Sequence, residues 1–279
     1  MNLRRHIPVA LLALFVLGTL SVTAQQMPVT ENQIPRQFPQ VSLVFNRIFN
    51  GSGLDTFYQR LQQLKKTRHG KVTIVHIGDS HLKSDNLPGV IRNGFRDFFG
   101  PTASAGPNHR DSSGIHYEVI SINGARFETF NQSPAFLQQA IDLKPDLFIV
   151  SLGTNDAQVN SYNETIFQQD LSQLLGNLKK ASPASAILVT TTADSFKRGN
   201  PNRELWNINI ALMSYCTAQN IPVWDMYRVT NGFGSAWNWW RKGMLSPDGI
   251  HFTAQAYKVQ GQLLYNALAK GYNSYISNY

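Results

Sequence analysis

Val72-Thr73-Ile74-Val75-His76-Ile77-Gly78-Asp79-Ser80-His81 is a short run of mostly β-branched residues that stops at Gly-Asp-Ser. Such a run reads as a buried strand. The glycine breaks it, and Asp and Ser are good helix-starting residues, so Ser80 is expected on a turn at the strand's C-terminal edge. Ligands of open α/β sheets bind at that edge. Ser80 is then a nucleophile with partners on other loops, or Asp79 and Ser80 merely cap a helix. Gly-Asp-Ser by itself favours the cap, because these residues cap helices everywhere.

The flanking sequence repeats the alternation of strand and helix. Before the run, Leu54, Phe57, Leu61 and Leu64 recur at helical spacing and end near His69-Gly70. After it come a helix through Val90-Ile91 and Phe95 to Phe99, a strand from Tyr117 to Ile122, a helix from Ala135 to Leu143, and a strand from Leu147 to Leu152. A helix marked by Ile166, Leu171, Leu174, Leu175 and Leu178 precedes the strand Ala186 to Thr191. Leu205, Ile208, Leu212 and Tyr215 mark another helix, Ile221 to Trp224 a short strand, and Thr253 to Lys270 a last helix. This order predicts an α/β fold with a parallel sheet covered on both faces and all strand C-termini along one edge.

The chain opens Met1-Asn2-Leu3-Arg4-Arg5-His6, runs through apolar Val9 to Leu20, and reaches Ala24-Gln25. A basic start, a short apolar core and a small exit residue predict a secretory signal peptide over residues 1–24, hence a periplasmic or secreted protein. Residues 25–53 are polar and broken by Pro28, Pro35 and Pro39, and read as an extended lead-in packed on the main domain, 54–279. No later apolar run approaches the ~20 residues of a membrane span. The single Cys216 cannot form an internal disulfide, and its apolar helical setting makes it a small core residue. Arg4 and Arg5 are the only charged side chains in the leader, so the formal +8 becomes +6 without it. That charge suits anionic envelope polymers. Lys65-Lys66-Thr67-Arg68 and Lys179-Lys180 fall at helix ends with no nucleic-acid motif beside them, so nucleic acid is not an expected partner.

Attack on an ester carbonyl needs a nucleophile, a base, an orienting carboxylate and donors for the developing oxyanion. Asp248-Gly249-Ile250-His251 precedes the last helix and is the one Asp-x-x-His pair downstream of the sheet. One turn of chain could set Asp248 against one imidazole nitrogen and Ser80 against the other. Gly124 and Asn155 are candidate oxyanion donors, with the Ser80 N–H as a third: glycine lets a backbone N–H approach closely, and an Asn amide is a neutral donor. Taken singly, Gly124 is a turn residue, Asn155 a cap and Asp-x-x-His accidental; their joint order carries the reading. A histidine base works once it has lost its proton, so activity is expected to rise through the ordinary histidine range near pH ~6.5.

Gly78-Asp79-Ser80, Gly124, Gly153-Thr154-Asn155-Asp156 and Asp248-x-x-His251 resemble, in order, blocks I, II, III and V of the SGNH hydrolase (GDSL esterase/lipase) family. The resemblance covers nearly all of the chain after Val72. It implies a flavodoxin-like three-layer α/β/α sandwich of strand order 2-1-3-4-5, a Ser80-His251-Asp248 triad, Ser80, Gly124 and Asn155 as oxyanion donors, and no metal or cofactor. Val75 to His81, Gly232-Phe233-Gly234-Ser235 and His251-Phe252-Thr253 are similar to exported bacterial members related to peptidoglycan O-acetylesterases. Thr191-Thr192-Ala193-Asp194 departs from some of these, which carry prolines after the fourth strand.

Trp237, Trp239 and Trp240, with Arg241 nearby, lie in the expected loop leading to Asp248 and are candidate contacts for a sugar ring and an anionic group, or pack that segment onto the core. His109, in the loop-like 102–114, is a further candidate substrate contact. His76 and His81 lack the Cys, His or carboxylate partners of a metal shell, and His76 is expected as a hydrogen-bonded core residue. The expected activity is removal of O-acetyl or other short acyl groups from a carbohydrate, with cell-envelope glycan a candidate. An O-acetyltransferase, a lipase- or thioesterase-type acylhydrolase, and a carbohydrate-binding protein with an idle site are the alternatives.

Overall fold

A computed structural model describes residues 25–38, 40–100 and 113–278; the expected leader, residues 1–24, lies outside them. The described residues hold eight strands, β1 (Ile48–Phe49), β2 (Lys71–Gly78), β3 (Gly114–Ser121), β4 (Leu147–Ser151), β5 (Ala186–Thr190), β6 (Phe196–Lys197), β7 (Asn200–Pro201) and β8 (Val223–Trp224). Six of them form the main sheet in the order β1-β8-β5-β4-β2-β3, while β6 and β7 make a small hairpin. The five parallel strands, counted along the chain, stand in the order 2-1-3-4-5. To these β1 adds an antiparallel edge strand, Ile48 opposite Trp224, that its two residues do not announce in the sequence.

The near-continuous apolar strands arise because both faces of the sheet are covered. Successive side chains point to opposite faces. Val72 and Ile74 of β2, Leu147 and Ile149 of β4, and Ala186 and Leu188 of β5 join one core. Val75 and Ile77, Phe148 and Val150, and Ile187 and Val189 join the other. The first core is closed by helices Asp55–Thr67, Asn86–Phe99 and Ala254–Asn278, the second by Glu164–Ala181 and Arg203–Ala218.

Met27, Ile34, Phe38 and Val41 are buried in the first core, so the segment before Gly53 packs against the sheet's helices. It is not simply extended: it holds helical turns at Ile34–Gln37, Leu43–Phe45 and Gly51–Leu54. Asn46 Oδ1 accepts from the buried Trp224 indole at 2.9 Å, and Glu31 pairs with Lys270. Val44 of this segment is 80% exposed. The last helix continues eight residues beyond the expected end, because Tyr272 and Ile276 keep an apolar stripe on the core after Lys270. No helix of the described residues is long and apolar enough to cross a membrane.

Candidate active site

The register pairs Gly78 with both Ser121 and Ser151, so the turns after β2, β3 and β4 leave the sheet at one level. Gly78 is required there by space: a Cβ would sit 2.8 Å from the Ser151 carbonyl oxygen and closer still to Leu82. Asp79 caps the single helical turn Ser80–Lys83, its Oδ1 accepting from the His81 N–H at 3.0 Å. That puts Ser80 first in the turn, half-buried, above the sheet edge.

Opposite it, residues 244–253 fold back on themselves. The Ser246 N–H donates to the His251 carbonyl at 2.7 Å, the Thr253 N–H to the Met244 carbonyl at 2.9 Å, and Leu245 bridges Phe252. Within this loop Asp248 Oδ1 accepts the N–H groups of Ile250 and His251, both at 2.9 Å. Its other oxygen, Oδ2, lies 2.6 Å from His251 Nδ1. His251 Nε2 lies 2.8 Å from Ser80 Oγ. With Asp248 ionised, Nδ1 carries the ring proton and donates it to Oδ2, leaving the Nε2 lone pair to accept from the Ser80 hydroxyl. Burial pushes the Asp248 carboxyl up, but the Ile250 N–H, the imidazole and the His251 N–H together hold it below the usual carboxylate range.

The expected donors gather around the same serine. Gly124 is the third residue of a turn closed by the Ala125 N–H to the Ile122 carbonyl at 3.1 Å, and its φ of +72° is the left-handed value such a turn needs. The Ile122 N–H donates to the Gly78 carbonyl at 3.2 Å, tying this turn to the end of β2. Neither the Ser80 nor the Gly124 N–H has an acceptor among the described residues. The Asn155 amide donates to Asp79 Oδ2 at 3.0 Å and to the Ala125 carbonyl at 3.1 Å. Asn155 thereby joins the three turns. Asp79 is more than the helix cap read from sequence; its partnership with Asn155 depends on strand order, which no local motif encodes.

His76 is a core residue, as expected, between the Tyr117 hydroxyl at 2.8 Å and Ser151 Oγ at 2.7 Å, and burial pushes its pKa down to about 3. Among the described residues no three His, Cys, Asp or Glu side chains gather as a metal set.

The three tryptophans divide. They lie on a helix, Ser235–Arg241, where a loop segment was expected. Trp239 is fully buried, its indole N–H donating to the Thr230 carbonyl at 3.3 Å and its ring packed between Phe38 and Phe252. It is therefore a core residue and not a substrate contact, because Ala236 and Trp239, three apart, share the inward face of the helix. Trp237 and Trp240 are 41% and 39% exposed and flank Phe196 of β6 at 4.6 and 6.0 Å. With Arg198, Gly249 and Ile250 they line a groove of about 330 Å³ that Asp248 also borders. Arg241 is exposed, its Nε donating to the Trp237 carbonyl at 3.3 Å, and does not line the groove. Arg198, which sequence reading passed over, does; only the β6–β7 hairpin brings it there. His109 lies outside the described residues.

A parallel 2-1-3-4-5 sheet with a Ser-His-Asp chain on its C-terminal edge defines an SGNH-type hydrolase. The profile of the GDSL-like lipase/acylhydrolase family matches residues 77–259, and the chain belongs to that family. No curated protein sequence matches it. Among solved structures it is similar to one described as a peptidoglycan O-acetylesterase in action, at TM-score 0.70 and 15% identity, covering 78% of this chain and 96% of that one. An acetyl xylan esterase aligns at TM-score 0.56 and 12% identity, over 71% of this chain and all of the other (100%). A lipase/acylhydrolase from Enterococcus faecalis aligns at TM-score 0.54 and 17% identity, over 71% and 96%. At these identities the likeness is one of fold.

Proposed function

We propose that this chain is an exported serine esterase that removes O-acetyl groups from a carbohydrate, with cell-envelope glycan the leading candidate. The observation that carries the esterase reading is the continuous relay from Asp248 through His251 to Ser80, with contacts of 2.6 and 2.8 Å. Ser80 Oγ attacks the ester carbonyl while its proton passes to His251 Nε2, and Asp248 holds the resulting imidazolium. The N–H groups of Ser80 and Gly124 and the Asn155 amide receive the oxyanion. To do so the amide gives up one of its two present acceptors. Collapse of the intermediate expels the sugar hydroxyl, which takes the proton from His251 and leaves an acetyl-enzyme. Water, deprotonated by the same histidine, then releases acetate.

The carbohydrate part of the reading rests on the exposed Trp237 and Trp240 beside Asp248, since indole faces suit sugar rings. The similarity in fold to a peptidoglycan O-acetylesterase and an acetyl xylan esterase is in keeping with it. Export rests on Arg4-Arg5, the apolar run Val9 to Leu20 and Ala24. Purified protein should release acetate from an O-acetylated glycan within a panel that also holds acetylated xylan, long-chain esters and thioesters. Turnover confined to long-chain esters or thioesters, or acetyl transfer to a sugar acceptor with no free acetate, would overturn the reading.

A further inference from the structure

His81 follows the nucleophile in the chain, and the relay leaves it unused. Its ring lies against that of His251, with centroids 4.9 Å apart and planes at 30°. Its Nδ1 lies 2.8 Å from the Tyr257 hydroxyl, carried by the last helix, and Tyr257 also meets the His81 ring edge-on. Its Nε2 is buried and has no partner among the described residues.

We propose that His81 is a positioning residue for His251: its ring is the face against which the His251 imidazolium forms when Ser80 gives up its proton. This rests on the reading of His251 as the base. A neutral aromatic ring stacked on a cation attracts it, whereas on a neutral imidazole it contributes less, so the contact strengthens as the proton moves from Ser80 Oγ to His251 Nε2. His81 itself neither gains nor loses a proton in the step.

The support works only while His81 is uncharged. Two features keep it so. A doubly protonated ring would need an acceptor at Nε2, and the described residues provide none. The groups that face it are Asp79 on its own turn, His251 and Asp248 from the loop 244–253, and Tyr257 from the last helix. Burial, the largest influence, pushes its pKa down, His251 adds to that, and the two carboxylates oppose it. Two facing imidazoliums would repel, so a charged His81 would oppose the charge that catalysis has to create.

His81→Leu keeps an apolar filling and removes the aromatic face; His81→Phe keeps the face and removes the titration. On a small acetyl ester, His81→Leu should lower kcat roughly five- to tenfold with KM within about twofold, and move the acid limb of the pH profile about half a unit or more toward lower pH. His81→Phe should recover most of both changes. Equal losses in the two variants with an unmoved acid limb, or no loss in either, would overturn the proposal. Should the variants fail to fold, the histidine Cε1 carbon shifts of the intact protein decide: His81 should stay neutral across the pH range in which activity rises, and a His81 that is charged there contradicts the proposal. If His251 is not the base, His251→Ala stays active and that reading falls with it; failure of the His81 variants alone leaves it standing.

Discussion

Asn155 shows how much one side chain decides. Its amide reaches Asp79 beside the nucleophile and the Ala125 carbonyl beside Gly124, so it binds the turns together, and in the proposed mechanism it also donates to the oxyanion. Asn155→Ala removes the donor without touching the relay. The expected outcome is a kcat lowered about 10²- to 10³-fold, with KM for a small acetyl ester nearly unchanged, in steady-state kinetics. A tenfold loss or less would remove Asn155 from the oxyanion donors. Ser80, Gly124 and Asn155 were legible in the sequence because each is a reactive or permissive residue just past the end of an apolar run, and Asp248 and His251 through their Asp-x-x-His spacing ahead of the last helix. The Asp79–Asn155 bond was not, since it joins positions 76 residues apart. Nor was the inward turn of Trp239, because a run holding Trp at 237, 239 and 240 does not say which face the core will claim.

Among the elements, the short helix Thr154–Gln158 carries a cost that pH exposes. Asp156 Oδ1 accepts the Phe127 N–H, but Oδ2 is buried without a partner, and burial pushes the carboxyl up to about 7 from its ordinary 3.8. The folded state therefore favours the protonated form. The stability this group contributes is complete below about pH 4 and is lost as pH rises through about 7. Asp156→Asn resembles the protonated acid at every pH. Its melting temperature should match wild type near pH 4 and exceed it at pH 8, by an amount corresponding to on the order of 4 kcal/mol. A difference that does not change with pH contradicts this account. The long strands and helices declared themselves through periodicity, but β1, the β6–β7 hairpin and helices such as Phe127–Asn131 and Ser235–Arg241 have too few residues to repeat a pattern. These short pieces exist because the larger layers hold them, and they form the rim that sequence alone left blank.

At the scale of the molecule, two cores fix one sheet and leave its C-terminal edge as the place where turns from distant parts of the chain meet. The hydrolase site is built there, and the Trp237–Trp240 groove continues it to the surface. Trp237→Ala with Trp240→Ala should raise KM for an acetylated glycan roughly tenfold while leaving a small acetyl ester unaffected. Equal losses on both substrates would mean that these rings support the fold and do not hold a sugar.

Both acyl transfers of the proposed reaction pass through Ser80, so the most direct measurement is its covalent labelling. Incubated with a serine-reactive phosphonate and examined as intact protein and as peptides by mass spectrometry, the wild type should gain a single adduct on Ser80. The rate of labelling should fall steeply in His251→Ala, and Ser80→Ala should stay unlabelled and hydrolyse no acetyl ester. An unlabelled wild type, or a Ser80→Ala variant with full esterase activity, would contradict the account.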